Sequence, residues 1–85
     1  MASIKVLYFA GLREALGLAG ETVAVPAGVA TIAELRAHLA ARGENHGALT
    51  TTKNLRAALN QRMVEPATPI ADGYEVAFFP PVTGG

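Results

Sequence analysis

Residues Ile4 to Phe9 run through β-branched and aromatic side chains without a glycine or proline, the composition of a strand. Alternation sends Ile4, Val6 and Tyr8 to one side and Lys5, Leu7 and Phe9 to the other. Ala10-Gly11 ends this run. Leu12, Ala15 and Leu16 then return at helical spacing before Gly17, which predicts about one and a half turns of helix. Glu21 to Val25 alternates weakly and stops at Pro26 and Gly28, as an edge strand would, because proline cannot donate to a ladder. The clearest helix starts at Thr31, where Thr31-Ile32-Ala33-Glu34 has capping-box spacing. Its buried stripe is Ile32, Leu35 and Leu39, its water face Glu34, Arg36 and His38, and Gly43 stops it. Glu44 to Asn54 is polar and irregular, a loop or a short helical turn. Leu55–Leu59 and Arg62–Glu65 flank Asn60-Gln61, a two-residue separation that predicts a hairpin with Asn60 left-handed. Pro66 and Pro69 break the next segment, Asp72-Gly73 marks a turn, and Tyr74 to Phe79 forms the last strand before Pro80-Pro81.

The order strand, short helix, strand, capped helix, loop, hairpin, strand fits one mixed sheet of about five strands with one principal helix and one short helix. This is an α+β fold, a roll of the ubiquitin-like β-grasp kind. Residues 1–79 make that domain and residues 80–85 a flexible Gly-Gly tail. If the first and last strands are central and adjacent, as in such a roll, they pair in parallel.

Both strands have two apolar faces, since Val76 and Phe78 oppose Ala77 and Phe79 just as Ile4, Val6 and Tyr8 oppose Leu7 and Phe9. One amphipathic helix covers one face. Leu7, Phe9, Ala77 and Phe79, with Met63 from the hairpin, would then form an apolar patch on the other, the usual mark of a partner site. The alternative is that loops fold over the second face.

The chain has 85 residues and is 51% hydrophobic, so it can hold one small domain, burying roughly 60% of its unfolded surface. Seven basic and seven acidic side chains give no net charge, which argues against a nucleic-acid binder. No run reaches the ~20 apolar residues of a membrane span, and no basic region precedes the first apolar run as in a signal peptide. A soluble, cytoplasmic protein is expected. With no cysteine there is no disulfide, thiolate zinc site or cysteine nucleophile.

Catalytic groups are scarce. His38 on a helix surface and His46 in a loop stand without a Ser or Asp at telling spacing, and both read as surface residues. No metal site is expected, Gly17 to Gly20 lacks the GK[ST] of a phosphate loop, and Arg13-Glu14 reads as a surface charge pair. The terminus remains. Gly84-Gly85 places a carboxylate on the narrowest possible peptide, able to thread a tight channel. The six residues from Pro80 reach at most roughly 20 Å.

These residues resemble a known family of ubiquitin-like sulfur carriers, the small subunits of molybdopterin synthase. The resemblance is most specific over Asp72-Gly73-Tyr74-Glu75-Val76-Ala77-Phe78-Phe79-Pro80-Pro81-Val82-Thr83-Gly84-Gly85. Ile4-Lys5-Val6-Leu7-Tyr8-Phe9-Ala10 with Arg13-Glu14 resembles the family's opening, Ala58-Leu59-Asn60-Gln61 its hairpin, and 43–54 departs freely. It implies that a ubiquitin-activating-like adenylyltransferase uses ATP to adenylate Gly85, that a sulfur donor protein displaces AMP, and that Gly85 then carries a thiocarboxylate (1-thioglycine). Pro80, Pro81, Val82, Thr83 and Gly84 would thread Gly85 into the large synthase subunit. There sulfur passes to cyclic pyranopterin monophosphate and builds the dithiolene that holds molybdenum. No bound cofactor of its own, and no nucleic-acid or membrane partner, is implied. Phe9, Met63 and Phe79 would match positions that contact the large subunit and the activating enzyme and Arg13 a basic position near that interface, while Leu7 and Ala77 join this partner-binding set through strand parity. A carrier for thiamine or tRNA thiolation, a ubiquitin-like modifier joined to lysines, and an interaction module without covalent chemistry remain as competing readings.

Overall fold

Strand β1 (Ala2–Tyr8) lies inside the sheet, and strand β5 (Glu75–Phe79) lies beside it in parallel, Val6 opposite Val76 and Tyr8 opposite Phe78. The computed structural model describes residues 2–81. Between these strands the chain forms α1 (Ala10–Leu16), β2 (Gly20–Val25), α2 (Ile32–Ala40), a 3₁₀ turn (Glu44–Gly47), α3 (Ala48–Thr51), β3 (Arg56–Leu59) and β4 (Arg62–Val64). The five-stranded order is β2-β1-β5-β3-β4, with β1·β5 parallel and the other pairs antiparallel. This is the mixed α+β sheet that the element order predicts, with β2 at an edge as expected.

Local chemistry sets the register. Gly73 takes φ 83°, which a residue with a Cβ adopts only under strain, and its N–H donates to the Ser3 carbonyl at 2.9 Å. Asp72 Oδ1 accepts from the Ser3 N–H at 2.7 Å, so the Asp72-Gly73 turn is stitched to the start of β1 just before β5 begins. At the hairpin, Asn60 and Gln61 are both left-handed, as a type I′ turn requires. Asn60 donates its N–H to the Glu75 carbonyl at 2.7 Å and accepts the Glu75 N–H on Oδ1 at 2.9 Å, fastening the turn to β5. Thr31 caps α2 through the full capping box with Glu34.

The core obeys the predicted parity. Ile4, Val6, Tyr8, Val76 and Phe78 are buried against Ile32, Leu35 and Leu39 of α2 and Leu12 and Leu16 of α1. The polar stretch 44–54 takes the short-helical alternative, and Leu49 on α3 is fully buried, an apolar anchor among polar neighbours. Two readings of the sequence need correction. Arg36 does not simply face water, because its Nε donates to the Leu49 carbonyl at 2.6 Å and its Nη2 to the Thr52 carbonyl at 3.2 Å, pinning α3 to α2. Arg13 and Glu14 form no ion pair, since helix neighbours diverge by about 100°; among the described residues Glu21 is the carboxylate that pairs with a guanidinium, that of Arg42.

His46 also departs from its expected place, and Glu21 is the cause. Glu21 stands opposite Val6 on edge strand β2 and so points to the core side, an inward charge of the kind that blunts sheet edges. The Tyr8 hydroxyl donates to Oε2 at 2.7 Å, His46 Nε2 lies 2.8 Å from the same oxygen, and Arg42 Nη1 lies 2.6 Å from Oε1. His46 is therefore half-buried, edge-on to the Tyr8 ring, rather than a surface residue. Burial alone would raise the Glu21 pKa, but hydrogen bonds from His46, Tyr8 and Arg42 outweigh it and hold the carboxyl at about 2 against an ordinary 4.5. Burial, then the bond to the Glu21 carboxylate, push the Tyr8 phenol upward.

This packing can be tested at two points. Leu49→Ala should lose about 2–5 kcal/mol in denaturant unfolding, the cost of a core cavity, whereas a leucine on a free loop would lose less than about 0.5 kcal/mol. Because the folded state favours the Glu21 anion, that contribution is complete above pH 4.5 and disappears as the pH falls toward 2. The wild-type melting temperature should drop more steeply across this window than that of Glu21→Gln; parallel profiles would contradict the assignment.

Candidate functional site

Directly opposed residues share a sheet face, so the register can be read across all five strands. One row runs Gly20, Leu7, Ala77, Ala58, Met63. It lies on the side opposite the helices and contains no polar side chain. The row beneath it, Thr22, Lys5 and Glu75, is polar. On the other flank, toward the end of β5, Phe79 stands opposite Arg56, and Phe9 comes directly after β1 with its N–H on the Phe78 carbonyl at 3.2 Å. The outer face is therefore divided: polar where β5 begins, apolar where β5 runs into Pro80.

Exposure agrees with this division. Phe9 is 46% and Met63 58% exposed, the large apolar residues that stand out among those described, while Leu7, Ala77 and Phe79 are half-buried. The described helices and loops do not close over this face, which decides against the reading in which loops cover it. Phe9 is also the extended N-cap of α1, and the Arg13 N–H donates to its carbonyl at 3.3 Å. Arg13 is thereby carried one turn along α1 and exposed beside the patch. Pro80 and Pro81 are half-buried directly after Phe79. Val82, Thr83, Gly84 and Gly85 lie outside the described residues.

Two contributors escaped the sequence reading. Ala58 enters the row because Leu59 pairs with Arg62 across the turn, which places Ala58 opposite Met63; counting outward from Asn60-Gln61 would have found it. Gly20 has a steric role. A Cβ there would lie 2.9 Å from Leu7 Cδ2 and 2.8 Å from the Val6 carbonyl, so Leu7 spreads over bare β2 backbone only because residue 20 is glycine. Among the described residues no group of His, Asp and Glu is arranged to hold a metal ion. Tyr8 and Glu21, whose protonation is displaced, lie on the opposite face. The outer surface is suited to bury apolar area against another protein.

The chain is 46% identical over 82 residues to the molybdopterin synthase sulfur carrier subunit of Escherichia coli, covering 96% of this chain and 99% of that one. Its fold superposes with a TM-score of 0.79 on the small archaeal modifier protein 1 of Haloferax volcanii, at 26% identity over 96% of this chain and all of that one. It also superposes on a chain from the complex of subunits 1 and 2 of molybdopterin-converting factor of Helicobacter pylori, with a TM-score of 0.66 and 25% identity over 98% and 99% of the two chains. With the ThiS family description matching residues 6–85, the chain belongs to the ThiS family of ubiquitin-like β-grasp proteins.

Proposed function

We propose that this protein is the sulfur-carrying small subunit of a molybdopterin synthase, with residues 80–85 as its reactive arm. The observation that carries the reading is the position of the apolar row, which ends where β5 passes into Pro80-Pro81, within a family match that extends through Gly85. A partner seated on Leu7, Phe9, Met63, Ala77 and Phe79, with Arg13 at its rim, receives the arm at its own active site. Two partners use the patch in turn: the large synthase subunit and a ubiquitin-activating-like adenylyltransferase.

The chemistry belongs to Gly85. A carboxylate resists nucleophiles because its charge is delocalised, so ATP first converts it to an acyl adenylate with loss of pyrophosphate. A persulfide on a donor protein attacks the acyl carbon, AMP leaves with the electron pair of its bond, and a thiol reductant cleaves the resulting acyl disulfide from the donor, leaving a thiocarboxylate. In the large subunit the sulfur of that softer anion attacks a carbon of cyclic pyranopterin monophosphate and displaces an oxygen substituent; water then cleaves the acyl–sulfur bond, which leaves the sulfur on the pterin and restores the Gly85 carboxylate. The protein supplies the docking face and the sulfur; acid–base groups and the ATP site come from its partners. A second reading, favoured by the likeness to the archaeal modifier, has the same adenylate captured by a lysine of another protein.

Incubation with the adenylyltransferase, ATP and a sulfur source should raise the intact mass by about 16 Da, the exchange of oxygen for sulfur at the acyl carbon. No shift with a competent partner would refute the carrier reading, and a covalent adduct to other proteins in its place would establish the second. Removing Gly85 should abolish the shift while leaving the melting temperature unchanged. Phe79→Asp should weaken binding to the large subunit by roughly tenfold or more, the loss of one buried aromatic anchor, with a much smaller effect on stability; equal losses would make Phe79 a core residue.

A further inference from the structure

The apolar row holds one residue whose chemistry can be changed in place. The chain has no cysteine and two methionines, Met1 and Met63. Leu7, Ala77 and Ala58 are inert to mild oxidants, and so are the rings of Phe9 and Phe79 beside them. Met63 instead carries a thioether, which a peroxide converts to a sulfoxide. Its place in the sheet leaves that side chain open. Because β4 is the last strand, Met63 has a cross-strand neighbour on one side only, and that neighbour is Ala58, whose methyl group covers little of a long side chain. Met63 is accordingly 58% exposed, more than Phe9.

The fold does not depend on this residue. Met63 stands outside the buried core and outside the partly buried residues packed against it. Val64, the next residue of β4, pairs with buried Ala57 and holds the strand to the core instead. An oxygen added at Sδ therefore alters the outer surface without opening the interior. Polarity is what it alters: the sulfoxide oxygen is a hydrogen-bond acceptor, and covering it with an apolar partner surface that offers no donor costs far more than covering the thioether. It would stand in the part of the outer face that has no polar side chain, the row from Gly20 to Met63.

We propose that Met63 is a reversible oxidation site that controls docking at the outer face. With hydrogen peroxide as the oxidant, an Sδ lone pair attacks one peroxide oxygen, the O–O bond breaks, and water leaves after proton transfer. Sulfur gives up two electrons and the peroxide takes them. Since the chain has no cysteine, the electrons for the return come from outside: a sulfoxide reductase with a dithiol removes the oxygen as water, and the dithiol becomes a disulfide. The switch rests on the docking reading given above, because it acts through the partner that covers Met63.

The test treats the full-length protein, in its carboxylate form, with hydrogen peroxide and locates the added oxygen by tandem mass spectrometry. Location matters because sulfoxidation adds about 16 Da, the same nominal change as the exchange of oxygen for sulfur at Gly85. Sulfoxide at Met63 should leave the melting temperature unchanged and weaken binding to the large synthase subunit roughly tenfold or more, and sulfoxide reductase should restore it. Met63→Leu, which retains Met1, should have the same affinity before and after treatment. Bound large subunit should in turn slow the oxidation of Met63. The proposal is overturned if Met63 stays reduced while Met1 is oxidised, if sulfoxide and thioether bind equally, if Met63→Leu loses as much affinity on treatment as the wild type, or if the melting temperature falls together with binding. Failure of the untreated protein to bind the large subunit is a distinct result, which overturns the docking reading and the switch with it.

Discussion

The parallel pairing of β1 with β5 is the constraint on which the rest of the molecule depends. It joins residues from opposite ends of the chain, Lys5 to Glu75 through Tyr8 to Phe78, and places both strands where a sheet is covered on its core side and flanked on both edges. Because the two run in the same direction, their C-terminal ends lie together. Phe9 and Phe79 consequently meet at one end of the sheet, which is also the end from which Pro80 departs. An antiparallel pair would have put Phe79 beside the start of β1 and separated the patch from the arm.

One helical layer cannot cover both faces of such a sheet, and the surplus of apolar side chains goes to the face left open. The half-polar, half-apolar division of that face supplies a directional docking surface: Lys5, Glu75 and Thr22 keep one half hydrated, while Leu7, Ala77, Ala58 and Met63 offer the other. The edges are managed separately. Glu21 turns a charge inward on β2 and draws Tyr8, Arg42 and His46 around it, so the segment after α2 is fastened to the sheet by polar bonds at one point and by Leu49 at another. The opposite edge, β4, has no such cover among the described residues.

Much of this was legible from local pattern. Strand parity separated Ile4, Val6 and Tyr8 from Leu7 and Phe9 before any contact was known, because side-chain direction in a strand depends only on position. The capping box at Thr31 and the turn at Asn60-Gln61 are likewise local, each needing a few residues and the backbone between them. The patch residues Phe9, Met63 and Phe79 belong to this class, and so does the pattern of the last fourteen residues. His46 and Arg36 were misread, and the burial of Leu49 was not foreseen, for the opposite reason. His46 and Leu49 lie in a polar stretch with no periodicity, Arg36 on the polar side of a helix, and the partners of His46 and Arg36 are 13 to 25 residues away in the chain.

By itself, then, the sequence determined the elements, the inward and outward sets of side chains, and the family through which its function is read, since these depend on residue chemistry at short range. Tertiary structure alone decided the cross-strand register that brings Gly20 and Ala58 into the apolar row, the convergence on Glu21, and the edge position that leaves Met63 exposed. All three depend on distances between segments far apart in the chain, and such distances are set only when the parallel pair closes the sheet.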